Sequence, residues 1–266
     1  MSNYSEKVIE LYEGMSKRGF LLRLLFEDSN FLNFGFWRAD TTNAQDAGEN
    51  LVEELLKFIP NKKGKILDVA CGEGATARYL CKYYDPSNVF GINITKKQLE
   101  ICERVAPGCT FLEMDATRME FQDSSFDNMI SIEAAFHFDT REKFLSEACR
   151  VLKPGGRLAI ADIISSTWPP QPTANLVKDM DDYAAICRRA GFADVEVVDV
   201  TDPVMGGFLE HAGVVMRQRF PLAFARPAVA QRIARRVEEQ WRDGVYVLAA
   251  CATAKRRRAR RAAAGG

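Results

Sequence analysis

The chain has 266 residues, within the range of one large α/β domain with additions, and its 47% hydrophobic content is enough to bury a full core. Its 36 basic and 36 acidic residues balance, but Lys255, Arg256, Arg257, Arg258, Arg260 and Arg261 gather +6 into a short tail and leave −6 on residues 1–254. An acidic body argues against nucleic acid, which needs a basic face, and no apolar run reaches the ~18–20 residues of a membrane span.

The start, Met1 to Glu10, is too polar for a secretory leader. Seven cysteines (71, 81, 102, 109, 149, 187 and 251) are scattered without a C-x-x-C pair, the usage expected of reduced, mostly buried thiols in a cytoplasmic protein. Residues 4–30 read as helical, with Val8, Ile9, Leu11, Tyr12 and Met15 at helical spacing, and Asn33-Phe-Gly-Phe-Trp37 as an aromatic loop. An amphipathic helix over 44–59 ends at Pro60. Residues 1–60 are therefore expected to form a helical N-terminal cap or lid, residues 61–254 the core, and residues 255–266 a solvated basic linker or tail.

Ile66 to Ala70 is a short apolar run, as in a strand buried on both faces. Gly72 and Gly74 follow, then a helix over 75–84. Strands are expected at 89–94, 110–114, 126–132, 157–161, 195–200 and 245–253. Helices are expected at 96–105, 141–152 and 179–190, with 206–242 helical in two pieces. Such alternation implies a mostly parallel sheet covered on both faces, with ligands beyond the carboxyl ends of its strands.

Gly72-x-Gly74-x-x-Ala77 also fits a dinucleotide fingerprint, as in an oxidoreductase. Three neighbours argue otherwise. Asp68 points an acceptor into the turn, which repels a pyrophosphate and suits a cation. Asn93 ends the second strand where a nicotinamide enzyme usually carries an acid. Asp115-Ala116 ends the third strand, placed to accept from an exocyclic amine of adenine.

Asp68-Val-Ala-Cys-Gly-Glu-Gly74, Gly91-Ile-Asn-Ile-Thr95, Met114-Asp-Ala-Thr117 and Arg150-Val-Leu-Lys-Pro-Gly-Gly-Arg157 together resemble the successive motifs of class I S-adenosylmethionine-dependent methyltransferases over about residues 60–200. The resemblance implies a Rossmann-like seven-stranded α/β sheet with its last strand antiparallel. It also implies that Asp68, Ala70, Gly72 and Gly74 line the methionine portion of the cofactor, Asn93 the ribose, and Asp115 with Ala116 the adenine. Ser131, which opens the segment Ser131-Ile-Glu-Ala-Ala-Phe-His-Phe138, is assigned with them. Ala70 stands where the family has its first glycine, and Asn93 where it has a ribose acid.

A hydroxyl acceptor needs a base beside the transferred methyl. His137 follows the fourth strand, Glu133 leaves the same strand end and Asp162 leaves the fifth. We expect His137 as the base, with Glu133 or Asp162 orienting its imidazole. His211, on a helix with no second signal, reads as a packing or surface residue, and with only two histidines a metal-free reaction is expected. Glu133-x-x-x-His137 with Ala161-Asp162 is similar to natural-product tailoring O-methyltransferases. The front segment and the Arg/Ala-rich end resemble O-methyltransferase domains of modular polyketide synthases. That resemblance implies a hydroxylated small-molecule or acyl substrate, specifically a β-hydroxyl delivered by an acyl carrier protein. The alternative is a stand-alone O- or C-methyltransferase acting on a sugar, phenol or prenyl acceptor.

Overall fold

In the computed structural model, which describes residues 6–10, 24–27, 29–166, 171–220 and 244–255, Ile66–Val69 is strand β1, buried at every position. It lies inside a seven-stranded sheet of order β3-β2-β1-β4-β5-β7-β6. The other strands are β2 (Val89–Asn93), β3 (Thr110–Glu113), β4 (Phe126–Ile132), β5 (Leu152–Ile164), β6 (Asp194–Asp199) and β7 (Val245–Ala252). The first five run parallel, and β7 is antiparallel to both β5 and β6, the arrangement the motifs imply.

The helices are α1 (Ala44–Lys57), α2 (Ala75–Leu80), α3 (Lys96–Val105), α4 (Arg141–Val151), α5 (Met180–Arg189) and α6 (Gly207–Arg219). Their starts follow from the sequence. Asn43, Thr140 and Asp179 each accept a backbone N–H of the first turn of α1, α4 and α5. Apolar side chains then cover the two faces of the sheet. Leu51, Leu55 and Leu80 from α1 and α2 pack with Ile66 on one side. Phe144, Leu145 and Tyr183 from α4 and α5 pack with Leu67 and Val69 on the other. The edge strands β3 and β6 are the exposed ones, and β6 carries Asp194, Glu196 and Asp199, charges that discourage edge-to-edge pairing.

Most expected boundaries hold to within two or three residues, and two move further. Helix α2 stops at Leu80 instead of residue 84, because the amides of Cys81, Lys82 and Tyr83 bond three residues back and tighten the last turn. Strand β5 begins at Leu152, five residues early. Leu152 pairs with Phe126 and Arg157 with Asn128, so Lys153–Gly156 bulges opposite Asp127. Most of the expected helix over 4–30 and the second helical piece of 206–242 lie outside the described residues. Among the described residues, no helix is long and apolar enough to cross a membrane.

The chain runs outward from β1 through β2 to β3, then returns to lay β4 on the other side of β1. The order therefore reverses between β1 and β4, which opens a crevice beyond their carboxyl ends.

Candidate active site

Alternation along β1 puts Leu67 and Val69 on the α4–α5 face, so Asp68 shares the α1–α2 face with Ile66. A carboxylate thus occupies a position that packing reserves for an apolar side chain. Asp68 is 2% exposed, and its Oδ2 has no hydrogen-bond partner. Burial alone pushes its carboxyl up to about 7. An ionisable group held this way is uncommon in a core and points to a ligand.

The turn after β1 passes through the left-handed region at Ala70 (φ +60°), Gly72 (φ +53°) and Gly74 (φ +88°). The two glycines serve different ends. A Cβ on Gly72 would meet nothing nearer than Leu32 Cδ1 at 4.0 Å, so its backbone faces open space. A Cβ on Gly74 would sit 3.0 Å from Cys102 Cα, so that glycine lets α2 pack against α3.

Two adjoining hollows, enclosing about 780 and 350 Å³ of space open to solvent, occupy the crevice. They share Leu32, Ala70, Gly72 and Ile132 as common walls. Asp68 and Thr76 line the smaller one. The larger is lined by Asn93 and Thr95 after β2, Met114, Asp115 and Ala116 after β3, and Glu133, Ala134 and His137 after β4. The structure thus brings Asp68, Ala70, Gly72, Asn93, Asp115, Ala116, Glu133 and His137 to one crevice. Gly74 and Ser131 line neither cavity. Ser131 is fully buried and its hydroxyl donates to Val69 O at 3.2 Å, joining the ends of β4 and β1.

Along the larger cavity the polar side chains are already braced. Asn93 Nδ2 donates to Gln98 Oε1 at 2.8 Å and more weakly to Gly72 O at 3.4 Å, while Oδ1 accepts Thr95 N–H. Asp115 Oδ1 accepts both the N–H and the hydroxyl of Thr117 at 2.8 Å, which fixes the carboxylate at the wall.

The expected base and its orienters are arranged differently from the sequence expectation. His137 sits in the turn Ala135–His137 and lines the larger cavity. Burial pulls its imidazole down to about 4, with the Asp162 charge opposing, so the ring is neutral at ordinary pH. Glu133 Oε1 instead accepts Phe34 N–H and the Tyr246 hydroxyl, both at 2.8 Å, and ties the aromatic loop to the sheet. Burial pushes this carboxyl up to about 8, against those two hydrogen bonds. Asp162 is fully buried: Oδ2 accepts Arg141 Nε at 2.8 Å and the Tyr183 hydroxyl at 2.9 Å, and Oδ1 accepts Ile163 N–H. His137 feels its charge from that cluster.

Sequence reasoning did not pick out Gln98, Leu32 or the Arg141 cluster. A helical glutamine, a loop leucine and an arginine opening α4 carry no motif. The other histidine, His211, is packed as expected: it stacks on Trp37 with centroids 4.4 Å apart, and its Nε2 lies 3.5 Å from Glu27 Oε2.

The crevice fits S-adenosylmethionine. Asp68 offers an unpartnered buried acceptor to a cationic group, Gly72 leaves its backbone accessible, and Asn93 and Asp115 present polar walls to an adenosine. Comparisons with known proteins agree. The methyltransferase domain family matches residues 67–160. Methyltransferase GfsG of Streptomyces halstedii is 30% identical over 220 residues, 75% of this chain and 77% of that protein. Erythromycin 3''-O-methyltransferase of Saccharopolyspora erythraea is 31% identical over 230 residues, 74% and 75% of the two chains. Among solved structures, the [4+2]-cyclase SpnF superposes with a TM-score of 0.72 at 21% identity, covering 94% of this chain and 97% of its own. That a cyclase shares the fold shows that the sheet by itself does not fix the reaction. Joined to the motifs and the crevice, the sequence relatives do decide the family: the chain belongs to the class I S-adenosylmethionine-dependent methyltransferases.

Proposed function

We propose that the chain is an O-methyltransferase, and that its acceptor is the β-hydroxyl of a polyketide-type acyl chain carried on an acyl carrier protein. The observation that carries the oxygen acceptor is His137: a neutral imidazole on the wall of the cavity that Asn93, Asp115 and Ala116 also line. When bound, S-adenosylmethionine supplies an electrophilic methyl group on a sulfonium. An alcohol is a weak nucleophile until its proton leaves, and a neutral imidazole within reach takes that proton as the new C–O bond forms and the C–S bond breaks. The buried negative charge of Asp162 favours the resulting imidazolium. Asp68, when ionised, complements the cationic methionine end, and Glu133 keeps the Asn33–Trp37 loop docked beside the site. The name of the erythromycin relative, which specifies transfer to oxygen, supports an oxygen acceptor.

The test gives the purified protein S-adenosylmethionine with a β-hydroxyacyl carrier protein in one arm and the free hydroxylated acid in the other. A gain of one CH2 on the carrier-bound acyl group is expected. Methylation of the free acceptor alone would replace the carrier-bound substrate with a diffusible one. In either arm His137→Ala is expected to lower kcat by ~10²–10⁴-fold, the usual range for losing a general base, while the cofactor still raises the melting temperature. Unchanged turnover in His137→Ala would exclude His137 as the base.

A further inference from the structure

We infer that Asn175, which contacts neither cavity, is the positioning residue for His137. This rests on the reading of His137 as the base. Asn175 ends the short turn Thr173–Asn175 and is 1% exposed. Its side-chain amide donates to Phe136 O at 3.0 Å and to Phe138 O at 2.7 Å, the carbonyls on either side of His137. One NH2 group therefore holds the backbone at both neighbours of the base.

The amide is itself held from behind. Asn175 Oδ1 accepts Arg141 N–H at 2.6 Å, and the Arg141 guanidinium donates to Asn175 O through Nη1. The same guanidinium donates to Asp162 Oδ2 through Nε and to Ile163 O through Nη2. Tyr183 completes the cluster on Asp162. Arg141, Asp162 and Tyr183 are each at most 1% exposed. A satisfied polar network at that depth fixes one geometry, because each alternative leaves a buried group without its partner.

The arrangement divides the work expected of Asp162. Its charge reaches the imidazole through space, while its oxygens anchor Arg141, and Arg141 anchors Asn175. The position of the ring is then set through the main chain of Phe136–Phe138. A backbone displaced by about 1 Å there is enough to cost roughly 100-fold in rate without touching substrate or cofactor.

Two substitutions test this. Asn175→Asp keeps the acceptor for Arg141 N–H and removes both donations to the carbonyls. Asn175→Ser is a smaller change that keeps at most one. Both are expected to lower kcat by roughly 30–100-fold, with the cofactor dissociation constant within about twofold of the parent. Combined with His137→Ala, either is expected to cost less than about twofold further, since residues acting as one unit are not additive. The chain has two histidines. The His137 imidazole resonance should move in each variant while that of His211 stays in place. A kcat within twofold of the parent in both variants would overturn the inference. So would loss of cofactor binding, movement of both histidine resonances, or an equal loss in the His137→Ala background, each of which marks Asn175 as part of the general framework. Full turnover in His137→Ala alone would instead remove the base that Asn175 is said to position.

Discussion

The two halves of the crevice are built in opposite ways. The half assigned to the cofactor draws Asp68, Ala70, Gly72, Asn93, Asp115 and Ala116 from the successive ends of β1, β2 and β3, each within a few positions of its own strand. The half proposed for the acceptor is stitched together from far along the chain. Glu133 meets the amide of Phe34 99 positions earlier and the hydroxyl of Tyr246 113 positions later, and Asn175 reaches back 39 positions to Phe136. The first half leaves one buried carboxylate oxygen, Asp68 Oδ2, without a hydrogen-bond partner. The second surrounds its histidine with satisfied networks. On the proposed reading, the half that would receive a cation leaves an acceptor open for it, and the half that would aim a proton acceptor fixes its frame in advance.

Asp68→Asn probes that difference most strongly. In the ligand-free protein the carboxyl is raised to about 7. A raised carboxyl pKa makes folding take up a proton, so stability falls as pH climbs from the unfolded value near 4 to about 7 and then levels off. The full penalty, at about 1.4 kcal/mol per unit, is at most roughly 4 kcal/mol above pH 7. Removing the charge should therefore raise the melting temperature of the ligand-free protein at pH 8 by several degrees and have little effect at pH 5. Affinity for S-adenosylmethionine should fall by roughly 10–100-fold, since hydrogen bonds to charged groups contribute about 1.5–3 kcal/mol. In the parent, the dissociation constant should rise as pH drops below 7, because the cation must displace a proton. Calorimetric titration at pH 5 and 8 reads both effects. A substitution that lowers stability at pH 8 would show that Asp68 is an ordinary core bond.

The paired glycines sharpen the comparison within the cofactor half. Gly72→Ala adds a methyl group in open space, at a φ close to the one Ala70 already adopts in the same turn. It should weaken cofactor binding and cost about 1–2 kcal/mol of stability, the penalty of a left-handed alanine with no clash added. Gly74→Ala forces a methyl against Cys102 Cα at φ +88°. It should destabilise the fold by more than the ~1–2 kcal/mol of the left-handed backbone, because the methyl group also presses on Cys102 Cα, and leave the cofactor dissociation constant of the folded protein nearly unchanged. Thermal melts with and without S-adenosylmethionine separate the two. Equal losses of binding would return Gly74 to the cofactor wall.

The same contrast explains what could be read from the residues alone. The placement of Asp68, Ala70, Gly72, Asn93, Asp115 and Ala116 at the crevice was legible because a strand end dictates where the next two or three residues go. The seven strands and the antiparallel last strand came with the motifs, whereas the sheet order is read from the folded chain. Gly74 was legible as a glycine, but the neighbouring helix that a Cβ there would meet was not. Ser131 lies in the right segment, yet strand alternation turns its hydroxyl onto Val69. Glu133 and Asp162 were found as carboxylates near His137, whereas their partners Phe34, Tyr246, Arg141 and Tyr183 are fixed only by the folded chain. Asn175 carries no local signal at all.

Glu133→Gln gives the smallest expected effect and distinguishes a latch from a catalytic acid. Phe34 N–H and the Tyr246 hydroxyl both donate to Oε1, and a glutamine Oε1 accepts both just as well. The carboxyl is raised to about 8, so below that pH it is protonated and a neutral amide is a close substitute. Turnover at pH 7 should therefore stay within about twofold of the parent, since geometry and charge are both preserved. The pH dependence should differ. Folding of the parent takes up a proton at Glu133, so its stability declines between about pH 4.5 and 8, and the variant should lose that part of the slope while gaining stability at pH 8.5. Glu133→Ala leaves both donors without Oε1 and should destabilise by about 1–3 kcal/mol, the range for a buried hydrogen-bonding group left unsatisfied. A large loss of kcat in Glu133→Gln, with melting behaviour intact, would make this carboxyl a participant in proton transfer and return it to the role of orienting His137.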